Sequence, residues 1–233
     1  MGTVVAGLLI AAVSGCASSG NTADYVFVYL KTGPQSGKKT PEESQAIFKG
    51  HMANMHRLAD EKKLVVAGPF DKPHDPSWRG IFVMDVASVE EARKLVATDP
   101  GVKAEVFTPE LHPFKAPAAL RDTLELEKAQ TAAQASRPAG EPPANVRGYV
   151  MLTARDGRRA SQALEKSGLA GKVIWSGRFG DAKQGGGVLV LDETSAAEVE
   201  AAIKRAGADP GVCAFDGWWS TTALTKLPRA AAQ

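Results

Sequence analysis

Asp99-Pro100-Gly101-Val102 and Asp209-Pro210-Gly211-Val212 place one four-residue string in each half of the 233-residue chain. Asp-Pro-Gly is ordinary turn chemistry, so a single copy would carry little weight. The residues leading up to each copy carry more. Before Asp99, Ser88 caps a helix with Val89, Ala92, Leu95 and Val96 on its inner face, behind a strand Gly80-Ile-Phe-Val-Met84. Before Asp209, Ser195 opens a helix through Val199 and Ile203, behind a strand Gly187-Val-Leu-Val-Leu191. Further back, Gly68-Pro-Phe70 answers Gly177-Arg-Phe179, Lys63 answers Lys172, and Asp85 answers Asp192.

The beginnings of the halves agree too. Asp24-Tyr-Val-Phe-Val-Tyr-Leu30 and Gly148-Tyr-Val-Met-Leu152 are rich in aromatic and branched residues and read as strands. Thr40, then Pro41 and the acids Glu42 and Glu43, starts a helix running to about Glu61, while Ser161 to Ser167 lies in the matching one. Leu64-Val-Val-Ala67 and Val173-Ile-Trp175 follow as second strands, and Val102 to Phe107 is expected to begin the last extended segment of the first half. The fold expected is α+β, two tandem ferredoxin-like βαββαβ modules over residues 24–115 and 146–226. Residues 116–145 join them, rich in helix formers from Leu120 to Ala135 and Pro-rich from Arg137 to Asn145, and residues 227–233 form a tail.

The N-terminus reads as a targeting signal. Val4 to Val13 is an apolar run of a length that suits a signal peptide but not a bilayer-spanning helix. Val13-Ser14-Gly15-Cys16 resembles the lipobox of bacterial lipoproteins, with Cys16 as the acylated residue, although no Lys or Arg precedes the run. Residues 17–23 then form a small polar tether. The expectation is a chain lipid-anchored in the bacterial envelope, on the periplasmic side of the outer membrane, since Ala17 and not Asp follows the cysteine. The bilayer is then one partner.

Composition excludes other classes. A net charge of +2 with Lys and Arg scattered among Asp and Glu gives no basic face for nucleic acid. Cys16 and Cys213 are the only cysteines, without metal spacing, and Cys213 reads as a small core residue. No phosphate-cradling loop, dinucleotide fingerprint or GxSxG appears, so no cofactor and no metal are expected.

Ala67-Gly68-Pro69-Phe70, His51 seventeen positions before Gly68, Thr98-Asp99-Pro100, and the closing Leu111-His-Pro-Phe114 together resemble the YCII-related family, also called YciI-like or DGPF-domain proteins, over about Asp24 to Lys115. Ala67 departs from the Asp those proteins carry at that place. The resemblance implies the dimeric α/β-barrel type of ferredoxin-like fold, in which two four-stranded sheets face one another around a pocket. Two copies in one chain would pair as an intramolecular pseudo-dimer, or between chains as a homodimer. It also implies a His–Asp site: His51 as the acid/base, Asp99 its partner with Asp71 the next choice, and Phe70, Asp71 and Arg79 as candidate binding residues.

The second half keeps no such histidine. Seventeen positions before Gly177 stands Ala160, and no histidine follows His112. Two readings stay open. One is a non-catalytic envelope module binding a small molecule between the sheets, or an envelope partner; the other is an enzyme of the isomerase or lyase kind. The second requires the His51 ring to face a cavity with a carboxylate within hydrogen-bond reach.

Overall fold

The computed structural model describes residues 21–134, 145–182 and 186–228. The signal run with Cys16, most of the tether, most of the Pro-rich connector, Gly185 and the last five residues lie outside the described residues.

The first half runs β1 (Thr22–Thr32), α1 (Pro41–Asp60), β2 (Leu64–Asp71), β3 (Trp78–Met84), α2 (Val89–Val96), α3 (Pro100–Lys103) and β4 (Phe107–Pro117). After α4 (Thr123–Gln134) come β5 (Val146–Ala154), α5 (Gly157–Lys166), β6 (Val173–Phe179), β7 (Gly187–Leu191), α6 (Ala196–Arg205) and β8 (Cys213–Thr221). The helix starts are those the caps dictate. Thr40 and Glu43 form a reciprocal capping box on α1, while the Ser88 and Ser195 hydroxyls accept the N–H of Glu91 and of Glu198. One boundary differs from expectation. Val102 is helical and not extended, because Asp99 caps and Pro100 initiates a new turn, α3, before the strand can start at Phe107.

The eight strands close into one antiparallel barrel in the order β1-β3-β2-β8-β5-β7-β6-β4. Within the first half the order is β4-β1-β3-β2, and within the second β8-β5-β7-β6. The halves thus do not stand apart as two facing sheets; they zip edge to edge. The seams are short. Phe70 and Asp71 pair with Trp218 and Gly217, and Phe114 and Lys115 pair with Phe179 and Arg178.

Glycine permits both closures. A Cβ on Gly68 would sit 1.9 Å from the Trp219 carbonyl oxygen and 2.9 Å from Trp218 Nε1, and one on Gly177 would sit 2.1 Å from Phe114 Cζ. The paired Gly-x-Phe signatures therefore mark the places where one half must come within backbone distance of the other. Closure also leaves no described strand with a wholly open edge, which lessens the aggregation hazard of an open sheet.

Alternation along each strand sorts the side chains. Tyr25, Phe27 and Tyr29 point into the barrel, where they meet Phe114, Tyr149, Trp175 and Trp218, all buried. Val26, Val28 and Leu30 point outward against Leu58 of α1 and Ala92 and Val96 of α2. On the other side Val150, Leu152 and Leu191 meet Leu164 of α5 and Ile203 of α6. The inward faces pack one another directly, so the barrel is a filled aromatic core with a helical layer over each half. Among the described residues no helix is long and apolar enough to cross a membrane.

Candidate functional site

His51 and Asp99 lie 48 positions apart and meet through two local devices. Helix α1 turns His51, Asn54 and Leu58 toward the sheet. Gly50 lets the helix approach α3, since a Cβ there would come within 2.8 Å of Pro100 Cγ. Asp99 is fixed from below as the cap of α3, its Oδ1 accepting the Gly101 N–H at 2.7 Å. Its other oxygen lies 2.7 Å from His51 Nδ1, and the Asn54 amide reaches toward it at 3.5 Å.

The electrostatics follow from burial. Asp99 has no solvent exposure. Desolvation alone would push its carboxyl up, but the hydrogen bond and charge of His51, with the Gly101 and Val102 amides, outweigh that and hold it below the usual carboxylate range. When the ring is neutral, a carboxylate on Nδ1 fixes the proton there and leaves Nε2 as the lone-pair nitrogen. The ring is held nearly parallel to Phe82, 6.0 Å between centroids, and is flanked by Phe107 at 5.3 Å. Nε2 has no hydrogen-bond partner among the described residues, on a side chain 11% exposed. Beside it Phe48 is 62% exposed, its ring 6.5 Å from the imidazole. The site lies in the helical layer outside the barrel, because Phe82 belongs to the outward set. Arg57 steadies Asn54, donating to its Oδ1 at 2.9 Å and to Thr98 Oγ1 at 3.0 Å.

The second half repeats the cap without the pair. Asp209 Oδ1 accepts the Gly211 N–H at 2.8 Å, yet its other oxygen meets exposed Arg159 at 3.3 Å, and the position seven before buried Leu164, as His51 stands before buried Leu58, is Gly157, the first residue of α5.

The other expected residues gather elsewhere. Phe70 packs at one end of the barrel against Tyr29 and Trp78, and Asp71 and Arg79 are exposed at the adjoining strand ends. No described contact joins these three to His51.

Sequence reasoning missed Asn54, although a polar residue one turn after His51 on the buried face was a legible signal. It also missed two histidines tied across the seams. His74, between β2 and β3, meets Asp216 of β8 at 2.9 Å. His112 of β4 meets Asp181, just after β6, at 2.9 Å, and Glu110 at 2.9 Å. Register makes His112 and Asp216 counterparts, each two residues before the aromatic that pairs at its seam, so imidazole and carboxylate trade sides. Partners so distant in sequence leave no local trace. No cluster of three or more metal-ligating side chains occurs among the described residues.

A family model described as the YCII-related domain matches residues 25–115. That span runs from β1 through β4 and contains both His51 and Asp99. No curated protein matches the chain.

Proposed function

With a YCII-related domain over residues 25–115 as the premise, we propose that this domain carries an acid–base site in which Asp99 orients His51 and His51 Nε2 moves a proton on a small molecule. The observation carrying this reading is a fully buried carboxylate 2.7 Å from the Nδ1 of a ring whose other nitrogen is free. Burying a charge costs several kcal/mol unless it is paired, about 3–5 when a partner is removed, and a plain helix cap has no need of that burial. Asp209 makes the same cap while exposed. The chemistry is isomerisation or elimination on a small cyclic or aromatic compound, with Phe48 as an apolar platform beside the nitrogen.

The second half is, in this reading, a diverged copy of the same βαββαβ unit. It pairs with the first as an intramolecular pseudo-dimer and contributes structure, not an imidazole. The chain is tethered to the bacterial envelope through acylated Cys16; Cys16→Ser is expected to release it from the membrane fraction.

The test is solvent deuterium exchange at the acidic carbon of enolisable cyclic ketones and lactones, followed by NMR. Exchange above buffer that falls about 10²–10⁴-fold in His51→Gln is expected for general-base catalysis. A wild-type chain that never exceeds buffer would overturn it. One observation favours a non-catalytic binding role instead: the barrel interior is filled, and the cleft between α1 and α4 is lined by His56, Asp60, Leu124 and Glu127 without His51. Melting-temperature shifts by the same compounds, lost in His51→Ala but without exchange, would select that reading.

A further inference from the structure

The loop of residues 72–77 leaves β2 and lies over one end of the barrel, reaching β8 of the opposite half. There the His74 backbone N–H donates to Asp216 Oδ1 at 2.6 Å, and ring Nδ1 sits 2.9 Å from each carboxylate oxygen. Asp216 has no solvent exposure, whereas the His74 side chain is 40% exposed. A carboxylate on Nδ1 again directs the free lone pair to Nε2, which has no partner among the described residues. The same end holds Trp78, edge-on to His74 at 4.6 Å and stacked on Tyr29 at 4.4 Å. The Trp78 indole N–H is buried and has no acceptor among the described residues, an uncommon state for a buried donor. Lys72, at the root of the loop, holds φ at 51°, a left-handed conformation in a residue other than glycine. The counterpart histidine offers no such opening, since both His112 nitrogens are engaged by Asp181 and Glu110.

A ring with a free acceptor and a ring with an orphaned donor thus meet edge-on, 4.6 Å apart, beside Tyr29 and Phe70. We infer that this end of the barrel is a second ligand site, separate from His51–Asp99, for a small planar hydroxyl compound of the phenol or enol class. The hydroxyl donates to His74 Nε2 and its oxygen accepts from Trp78 Nε1, with the ring against these aromatic side chains. The loop shifts about Lys72 to admit it. The site needs both halves, because Asp216, which positions His74, stands on β8.

The probe is 4-cresol, titrated calorimetrically into the full chain at about pH 8, where a simple phenol and an ordinary imidazole are both neutral. Saturable binding is expected, weakened about tenfold or more in His74→Gln and in Trp78→Phe, the scale of one lost hydrogen bond, and unchanged in His51→Ala. Circular dichroism confirms that each variant is folded. Asp216→Asn should also move the His74 ¹⁵N shifts away from those of a single tautomer. Absence of saturable binding, wild-type affinity in His74→Gln, unmoved ¹⁵N shifts, or loss of binding in His51→Ala would each overturn the inference. Only the last would implicate the outer site instead.

Discussion

Gly68→Ala is the sharpest probe of how the barrel closes. The added methyl would lie 1.9 Å from the Trp219 carbonyl oxygen and 2.9 Å from Trp218 Nε1. The first of these is backbone, held in the β5–β8 ladder by the pairing of Trp219 with Gly148, so no side-chain rotation relieves it. Overpacking costs about 1–3 kcal/mol where neighbours can adjust, and a backbone obstacle places this substitution near 3. Replacing glycine also stiffens the unfolded chain, which returns about 0.4–1 kcal/mol. The remainder is about 2–3 kcal/mol, or a fall of about 4–12 °C in melting temperature for a domain of this size. Gly148→Ala is the control, because nothing lies within 4 Å of its added Cβ. Scanning calorimetry on the two variants and wild type decides the matter. If Gly68→Ala melts within about 2 °C of wild type, the seam is not closed as described and the account of the glycine pair fails.

Other expectations concern charge and caps. Asp99 is held below the ordinary carboxylate range, so its contribution is present above the unfolded pKa and is lost as pH falls through the lower folded value. Chemical denaturation from pH 6 to 2 should show that acid loss in wild type and a smaller one in Asp99→Asn. Burial pushes the Cys213 thiol up to about 12, so iodoacetamide at pH 8 should leave it unmodified in the native chain and alkylate it after denaturation; rapid native labelling would contradict its place under α6. Thr40→Ala removes the hydroxyl that accepts the Glu43 N–H at 3.2 Å, and should cost about 1 kcal/mol by urea denaturation. Arg121→Ala breaks a bidentate pair to Asp85 at 2.7 and 2.8 Å, but the arginine is half exposed, so a loss above about 1 kcal/mol would be unexpected.

Local rules made much of the architecture legible, and their failures share a cause. Thr40, Ser88 and Ser195 announced their helices because a cap is satisfied within three residues of itself. The aromatic and branched residues from Tyr25 to Leu30 announce a strand, and the structure buries both of its faces. The Asp99 cap is equally local, yet Asp-Pro-Gly reads as a turn when it also starts a helix. Closure into a barrel was not legible. It rests on two residue pairs at each seam and on the missing side chains of Gly68 and Gly177, whose place the opposite half takes, and absent side chains leave little pattern. The His51–Asp99 pairing came from family likeness, and its cause, Gly50 against Pro100, is visible only in three dimensions. Asp216 looked like a polar residue in a strand, and only its position against His74 explains a carboxylate inside an aromatic core.

The exchanged order of imidazole and carboxylate at the two seams bears on assembly. Were the barrel built from two identical polypeptides, the residue facing each junction would be the same on both sides, so that two histidines or two acids would occupy positions 112 and 216. A single covalent chain escapes that constraint. Each junction can be tuned by itself, one fastened at both nitrogens and the other left with a reactive edge, without the compromise that rotational symmetry imposes on homodimers.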